Sequence, residues 1–379
     1  MAISLTQEQT RLLRIEAQQL ASRRSGGEDS PAKVAQIVRD LCGVQAQDVS
    51  AASLAVRARC QGLTKEDFDR ALFKDRSVVR TWLMRGTLHL IAAEDLDWVL
   101  TLLAPRFIRA NRGRRKELGL DEETGAKGVR AISELLSEGG PLTRKEIATQ
   151  LDKQGIPTAG QAIIHLIGLA ALQRILCYGP DREGQETFVL LKDWVDQGRT
   201  LPDEQAQVEL AHRYLAAYGP AAPEDFAAWS GLTLRAAHSA WEKLADQLLE
   251  LELDGEPLWI LEEQEDRLNQ SLSEEVTINL LPKFDPYLLG YRSRNLSVPQ
   301  TYAKRIHPGG GMLRPALLVD GLAAGTWTLK RKKNDLAVII EPFEELGDET
   351  LFTLESEVEE VGRYYAMHAT LEITRVRNS

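Results

Sequence analysis

A succession of predicted helices followed by a hairpin, found three times along the 379 residues, most restricts how this chain can fold. Each copy places segments with apolar residues at helical spacing before two apolar runs that flank a turn. This order is typical of a winged helix, a small helical bundle whose wing is a β-hairpin. The predicted helices and hairpins are 6–21, 31–41, 49–59, 64–73 and 78–92 in the first copy, 126–136, 143–154, 159–174 and 175–191 in the second, and 203–218, 223–229, 233–245 and 248–261 in the third. A helix over 93–104 follows the first hairpin.

Capping residues support the start of several of these helices. Thr6 and Thr143 each open the register of a capping box, in which a Thr and a Glu or Gln three residues later bind each other's backbone N–H. Ser30 stands before Pro31, and we expect Ser30 to cap a helix whose first residue is this proline.

From about residue 276 the pattern changes to short apolar runs separated by Gly, Pro and Asp. These runs predict a small barrel or sandwich, with one helix over 349–365 packed on it. We therefore predict the α+β class, with three tandem winged-helix motifs followed by a C-terminal β-barrel. The predicted strands are 277–281, 313–319, 325–329, 336–340 and 369–373. The predicted domains are 1–120, 121–200, 201–272 and 273–379.

The net charge of −10 is an argument against nucleic acid as a partner, but the charge is unevenly distributed. Residues 335–360 contain ten acidic side chains and no Lys or Arg, which equals the whole net charge. Residues 105–116 contain six basic side chains and no acid. Phosphate binding requires one basic face, which this second run can supply, although such a run can also be a solvated helix face.

Cysteine and histidine usage argues against a metal site or a disulfide framework. Cys42, Cys60 and Cys177 are too far apart for either, and we expect them to be small buried side chains. The six histidines are scattered, so we predict neither a metal nor a cofactor. The sequence has neither an apolar run long enough to span a bilayer nor a secretory signal pattern, and we expect a cytoplasmic protein.

The common catalytic signatures are missing, including the P-loop, the nucleophile elbow and the zinc-binding HExxH motif. The triplet Gly309-Gly310-Gly311 does not lie between a strand and a helix, so it indicates a flexible turn and not a dinucleotide site. Gln45 and Gln47 are more distinctive, because on an extended backbone their side chains project to the same side. Two such amides can orient one water molecule, although two polar residues at a helix–loop junction can equally serve the backbone.

The segment 80–90 is a second candidate. On a hairpin, Arg85, Thr87 and His89 share one face, and Arg80 and Arg85 can contact phosphates or lie on a wing in water. A histidine on an apolar strand is more often a buried, hydrogen-bonded side chain than a catalyst.

Four stretches together resemble the AlkZ/YcaQ-like family of winged-helix DNA glycosylases. These stretches are Gly43–Asp48, Arg80–Leu90, Phe284–Arg292 and His307–Pro315, and they follow one another over most of the chain. The resemblance implies three tandem winged helices and a C-terminal β-barrel in a C-shaped molecule around duplex DNA. The family's catalytic motif, Gln, an aliphatic residue and then Gln or Asp, falls here on Gln45, Ala46 and Gln47. The second Gln is similar to the AlkZ-like branch, and Ala46 is smaller than the usual spacer.

The resemblance further implies hydrolysis of the N-glycosidic bond of alkylated purines, including the unhooking of interstrand crosslinks. The partner would be double-stranded DNA carrying such lesions, and we take a monomer as the default state. Gln45 and Gln47 would place the attacking water. The candidate DNA-contacting residues are Arg80, Arg85, Thr87, His89, Arg106, Arg109, Arg112, Arg114, Arg115, His307, Gly309, Gly310, Gly311 and Arg314.

Two other functions fit part of the pattern. A winged-helix transcriptional regulator explains the repeated motifs, but it does not explain the paired glutamines. A protein-interaction scaffold is supported by the acidic stretch 335–360, and it predicts no affinity for DNA even at low salt.

Overall fold

The computed structural model of the protein describes residues 3–27, 29–269, 276–333 and 335–375. The chain forms two compact units: unit 1 combines Met1–Phe68 with Val208–Ser379, and unit 2 is Asp69–Gln207. Both units contain helices and strands, so the predicted α+β class is confirmed. The four domain limits predicted from the sequence are a different division and stay a prediction. Across the described ranges, no helix combines the length and the apolar character that a membrane span requires.

The N-terminal part of unit 1 alternates short strands with helices. The Thr6 side chain accepts a hydrogen bond from the Gln9 N–H at 3.1 Å, and Gln9 accepts one from the Thr6 N–H, so the predicted capping box is confirmed. The predicted cap at Ser30 is wrong, because the helix includes Ser30 and its hydroxyl donates to the Gly27 carbonyl. The elements are β1 (Ile3–Leu5), α1 (Gln7–Ala17), β2 (Arg24–Ser25), α2 (Ser30–Asp40), β3 (Val44–Gln45), α3 (Val49–Arg57), β4 (Cys60–Gln61) and α4 (Lys65–Asp69).

The predicted hairpin lies near the start of unit 2, after a helical turn at Arg70–Lys74. The antiparallel strands β5 (Val78–Trp82) and β6 (Leu88–Ala92) flank a turn in which Arg85 has a φ of 56°. The next helix, α5 (Leu96–Ala110), runs through Pro105 and is longer than the predicted 93–104. The remaining elements up to the unit boundary are α6 (Arg112–Glu117), α7 (Glu122–Gly139), β7 (Leu142–Thr143), α8 (Arg144–Lys153), α9 (Ala162–Leu172), β8 (Leu176–Tyr178), β9 (Thr187–Leu190) and α10 (Leu191–Trp194).

The second predicted copy has the element order that a winged helix requires. α7, β7, α8 and α9 are followed by the hairpin of β8 and β9, and the three strands form one sheet in the order β7-β9-β8. Thr143 and Glu146 form the predicted capping box at the start of α8. Apolar side chains of α7 and α9, including Ile132 and Leu166, are fully buried between these elements.

The third predicted copy lies mainly in unit 1. α11 (Asp203–Tyr218), α12 (Pro223–Ser230) and α13 (Leu234–Leu244) precede the antiparallel hairpin of β10 (Leu248–Leu253) and β11 (Glu256–Leu261). All five elements agree with the predicted segments to within a few residues. β1 adds to β10 as a parallel strand. A short helix, α14 (Asp266–Asn269), follows.

The C-terminal part of unit 1 is a curled five-stranded sheet, and the prediction of a β-barrel is corrected to a half-barrel. Four strands are antiparallel neighbours, but the last two are parallel, because α17 carries the chain back across the sheet between them. The elements are β12 (Ile278–Leu281), α15 (Pro286–Leu289), α16 (Ala303–Ile306), β13 (Ala316–Val319), β14 (Leu322–Lys332), β15 (Asp335–Pro342), α17 (Asp348–Tyr364) and β16 (His368–Ile373).

Buried ion pairs connect the two chain segments of unit 1. Arg57 at the end of α3 lies 3.0 Å from Glu357 of α17, and Arg23 lies 2.5 Å from the same carboxylate. Arg59 donates two hydrogen bonds to Asp285, at 2.9 and 3.0 Å, and both side chains are fully buried. Because both members are charged and removed from water, each pair constrains how residues 3–68 pack on the C-terminal sheet.

Candidate active site and DNA-contacting surfaces

The segment with the two glutamines is a short extended stretch between two helices of unit 1. After α2, Cys42 and Gly43 have φ values of 54° and 116°, which turn the chain into β3. Val44 and Ala46 are fully buried, whereas Gln45 is half-buried and Gln47 is exposed. Since side chains alternate along an extended backbone, this burial pattern agrees with both glutamines projecting away from the core on one side.

This arrangement limits the chemistry of the segment. An amide has an acceptor oxygen and a donor nitrogen but no ionisable group near neutral pH, so it can orient a water molecule and is a very weak base. Such a pair suits a substitution whose leaving group departs readily. Within the described ranges, no group of three or more His, Cys, Asp or Glu side chains could hold a metal ion.

Asp48 connects the glutamine segment to α3. One carboxylate oxygen accepts from the Ala51 N–H at 3.0 Å and caps the helix, and the other lies 2.6 Å from Lys283 Nζ. Desolvation acts to raise the pKa of the Asp48 carboxyl. The hydrogen bonds from Lys283 and Ala51, with the charge of Lys283, outweigh it and lower this pKa below 3.8. The carboxyl group is therefore ionised at neutral pH.

Sequence reasoning did not single out either partner as a functional residue. Asp48 directly precedes a helical segment, and an N-cap preference for Asp is a signal that could have identified it. Lys283 is 235 positions further along the chain. Nothing in its local pattern indicates a contact with Asp48.

The predicted residues of the first hairpin differ in exposure. Arg85 and Thr87 are partly exposed, but His89 is only 3% exposed. His89 Nδ1–H donates to the Thr87 carbonyl at 3.1 Å. Burial, the larger cause, and the charge of Arg85 lower the pKa of His89 to about 3, so its ring is neutral at neutral pH.

Arg80 is also inside unit 2. It is 5% exposed, lies 2.6 Å from Glu186 and stacks over the ring of Tyr178. Arg80 and His89 are enclosed by partners of their own unit, and the expectation that they contact DNA stays a prediction.

The basic run 105–116 forms the end of α5 and most of α6. Arg106, Arg109, Arg112 and Arg114 are exposed. Arg115 is 8% exposed and donates to the Ile108 carbonyl at 2.7 Å, and its contact with DNA stays a prediction.

The exposed arginines of this run differ in their partners. Arg112 pairs with Glu122 at 2.9 Å, and Arg114 pairs with Glu117 at 2.8 Å. Because these acids offset part of the charge, Arg106, Arg109 and Lys116 remain the more available cations of the run.

The predicted glycine turn is exposed on unit 1. Gly309, Gly310 and Gly311 have φ values of 105°, 62° and 75°, a region that favours glycine over other residues. His307 Nδ1–H donates to the Met312 carbonyl at 2.6 Å, and the Arg314 N–H donates to the Ile306 carbonyl at 2.9 Å. The side chains of His307 and Arg314 are exposed on either side of this turn.

The predicted site residues are thus divided between the two units. Gln45, Gln47 and the glycine turn belong to unit 1, whereas the first hairpin and the basic run belong to unit 2. The three cysteines are buried, as expected.

Comparison with known proteins adds independent information. A family model described as DNA glycosylase AlkZ-like matches residues 38–364. An interstrand DNA cross-link repair glycosylase of Streptomyces sahachiroi is 30% identical over 346 residues, which is 86% of this chain and 89% of the relative. The solved structure of Streptomyces sahachiroi DNA glycosylase AlkZ is similar with a TM-score of 0.81 at 25% identity, over 98% of this chain and 100% of that chain. The matched region contains Gln45, Gln47, Asp48 and Lys283.

Proposed function

Because the chain belongs to the AlkZ-like DNA glycosylase family and is a DNA glycosylase, we propose that it hydrolyses the N-glycosidic bond of alkylated purines in duplex DNA. The substrates are N7-alkylguanine and related cationic lesions. Since the relative from Streptomyces sahachiroi is named a cross-link repair glycosylase, the proposal includes the unhooking of interstrand crosslinks. The protein acts as a monomer in the cytoplasm.

One observation carries this proposal, the burial pattern of the segment: Val44 and Ala46 are fully buried, whereas Gln45 is half-buried and Gln47 is exposed. The amide oxygens accept hydrogen bonds from one water molecule and direct its lone pair at C1′ of the damaged nucleotide. Placing a reactant in this way lowers the entropic part of the barrier.

The chemistry requires little base strength. Alkylation at N7 makes the purine cationic, so the base leaves with the electron pair of the C1′–N bond as a neutral molecule. The deoxyribose passes through an oxocarbenium-like state, water forms the new C1′–O bond, and the water proton passes to solvent. The products are the free base and an abasic site. Polar groups fixed near the developing charge stabilise the transition state.

DNA contacts in this proposal come from exposed residues of both units. Arg106, Arg109, Arg112 and Arg114 contact phosphates, together with Arg85 and Thr87 of the first hairpin. In unit 1, His307 and Arg314 contact the duplex, and the turn Gly309–Gly311 lets the backbone approach it closely. Three tandem winged-helix motifs are part of the same proposal.

The test is base release from a duplex with a single N7-methylguanine, with abasic sites revealed by alkaline cleavage. A second duplex carries one interstrand crosslink. Wild type should release the base and unhook the crosslink, and Gln45→Ala and Gln47→Ala should lose both activities while still binding DNA. Gln247→Ala, at another exposed glutamine of unit 1, is the matched control and should retain both.

Two results would contradict the proposal. Tight and sequence-selective binding by wild type, with release from neither substrate, would favour a regulator. Full activity in the Gln45→Ala/Gln47→Ala double variant would agree with a glycosylase activity, but it would show that the two glutamines have no role in the mechanism.

A further inference from the structure

We propose that Asp48 and Lys283 are positioning residues of this glycosylase, whose ion pair holds the strand end carrying Gln45 and Gln47 in its reactive geometry. The inference rests on the proposed function and deepens it. It assigns a role to two side chains that belong to different chain segments of unit 1 and lie at the glutamine segment.

Both carboxylate oxygens of Asp48 already have a donor. Oδ1 accepts from the Ala51 N–H at 3.0 Å, and Oδ2 lies 2.6 Å from Lys283 Nζ. A carboxylate with two charge-assisted or backbone donors is held in one orientation and is a poor proton acceptor. Asp48 therefore acts on the chemistry through position: it directly follows Gln47, and its two bonds fix the backbone on which that glutamine stands.

The backbone segment that carries Lys283 is fixed by buried contacts. Two residues after Lys283, Asp285 is fully buried and accepts two hydrogen bonds from Arg59. Asp285 also accepts from the Tyr287 N–H at 2.9 Å and so caps α15. Phe284, between them, has a φ of 63°, which fixes the direction of the backbone. Lys283 thus extends from a segment that cannot shift without breaking a buried ion pair.

The two pairs together hold both ends of α3. Asp48 is its N-cap and binds Lys283, and Arg59, two residues beyond its last residue, binds Asp285. A helix fixed at both ends to one segment defines where the residues before its first turn lie. A displacement of a catalytic group by about 1 Å can reduce a rate by roughly 100-fold.

The Asp48–Lys283 pair can fix the position of the glutamine segment, but it contributes little to the stability of the whole fold. The two side chains are 34% and 38% exposed, and ion pairs with this exposure contribute little to the free energy of folding. Substitution should therefore leave the fold intact and change the rate of the chemical step.

The experiment compares Lys283→Met, Lys283→Arg, Asp48→Asn and the Asp48→Asn/Lys283→Met double variant with wild type on N7-methylguanine DNA. Asn is as good an N-cap as Asp, so Asp48→Asn removes the charge and keeps the helix cap. Glu209→Gln is the control, because Glu209 is 33% exposed and pairs with Arg213 at 2.8 Å within α11.

We expect single-turnover base release to fall about tenfold or more in Lys283→Met and Asp48→Asn, with DNA affinity and Tm unchanged. The double variant should be no slower than the slower single variant, because the same interaction is absent from all three. Lys283→Arg should recover most of the rate, since Arg retains the cation, and Glu209→Gln should match wild type.

Rates within about threefold of wild type in both charge-removing variants would overturn the proposal, as would a Lys283→Arg variant no faster than Lys283→Met. A failure of the proposed function is a separate result, in which wild type itself releases no base. In that case amide hydrogen exchange over residues 44–50 still tests whether the ion pair holds the glutamine segment in place. Faster exchange in Lys283→Met and Asp48→Asn, but not in Glu209→Gln, supports the positioning role, and unchanged exchange overturns it.

Discussion

Burial separates two kinds of basic side chain in this chain. Arg80, His89 and Arg115 are enclosed in unit 2, with exposures of 5%, 3% and 8%, and each has a partner within the unit. Arg106 and Arg109 are exposed at the end of α5. Side chains enclosed in this way have little surface to offer to a phosphate. The buried group therefore affects stability, and the exposed group is available for DNA.

His89 makes the stability of the protein dependent on pH. Its pKa is about 3 in the folded chain and about 6.5 in the unfolded chain, so the unfolded chain binds this proton first as the pH falls. The contribution is fully present above pH 6.5 and decreases towards pH 3, with a slope of at most about 1.4 kcal/mol per pH unit.

The prediction is a shallower acid dependence for His89→Asn, whose amide can still donate to the Thr87 carbonyl. Urea denaturation between pH 4 and pH 7 measures the slopes, and His238→Asn, at an exposed histidine, is the control. Equal slopes in wild type and His89→Asn would contradict the assignment.

Single residues were predictable from sequence where the signal is local. Thr6, Thr143 and the alternation of Gln45 and Gln47 depend on a few neighbouring positions, and the structure agrees with each. Alternation groups the side chains of the 80–90 hairpin by face, but it cannot tell which face is covered, because the partner Tyr178 comes from another hairpin. The contact between Asp48 and Lys283 had no local signal either.

The sequence predicted the positions of the helices and strands better than it predicted whether the C-terminal strands form a closed barrel. All five C-terminal strands agree with the apolar runs in the sequence to within a few residues. Periodicity does not distinguish a barrel from an open sheet, since both alternate inward and outward side chains. The strand order decides, because β12 and β16 lie at its two opposite ends among the described residues.

Glu357 on α17 allows a test of whether buried ion pairs stabilise the packing of this helix. Its carboxylate is 4% exposed, contacts Arg57 and Arg23, and accepts from the Leu280 N–H at 3.2 Å. Desolvation alone would raise the pKa of Glu357, but the two arginines lower it, so the group stays ionised.

Glu357→Gln leaves two buried cations without their counter-charge, and we expect a loss of about 3–5 kcal/mol in the free energy of unfolding. Chemical denaturation followed by circular dichroism measures this loss. Glu355→Gln, at an exposed position of the same helix, should change stability by less than about 0.5 kcal/mol. A small loss in Glu357→Gln as well would show that the buried pair does not hold α17.

The whole molecule carries a net charge of −10, so its DNA affinity must come from local cations. Removing one cation that neutralises a phosphate should reduce the slope of log K against log salt by about 0.9. For the Arg106→Gln/Arg109→Gln double variant we therefore expect a slope lower by about 1.8 and weaker binding of every sequence.

Fluorescence anisotropy with one duplex over a series of salt concentrations gives both quantities. Arg70→Gln is the control, because Asp75 at 3.0 Å already compensates that charge. If the double variant kept the wild-type slope, the basic run 105–116 would not be a phosphate-binding surface.

The central claim is that two amides supply the catalytic function of a DNA glycosylase. The most direct measurement is the single-turnover rate of N7-methylguanine release at saturating enzyme, for wild type and Gln45→Ala/Gln47→Ala, because saturation separates chemistry from binding. We predict a rate lower by about 100-fold or more in the double variant, with an unchanged Kd for the damaged duplex. A rate within about threefold of wild type would contradict the claim and place the water on other groups of the protein.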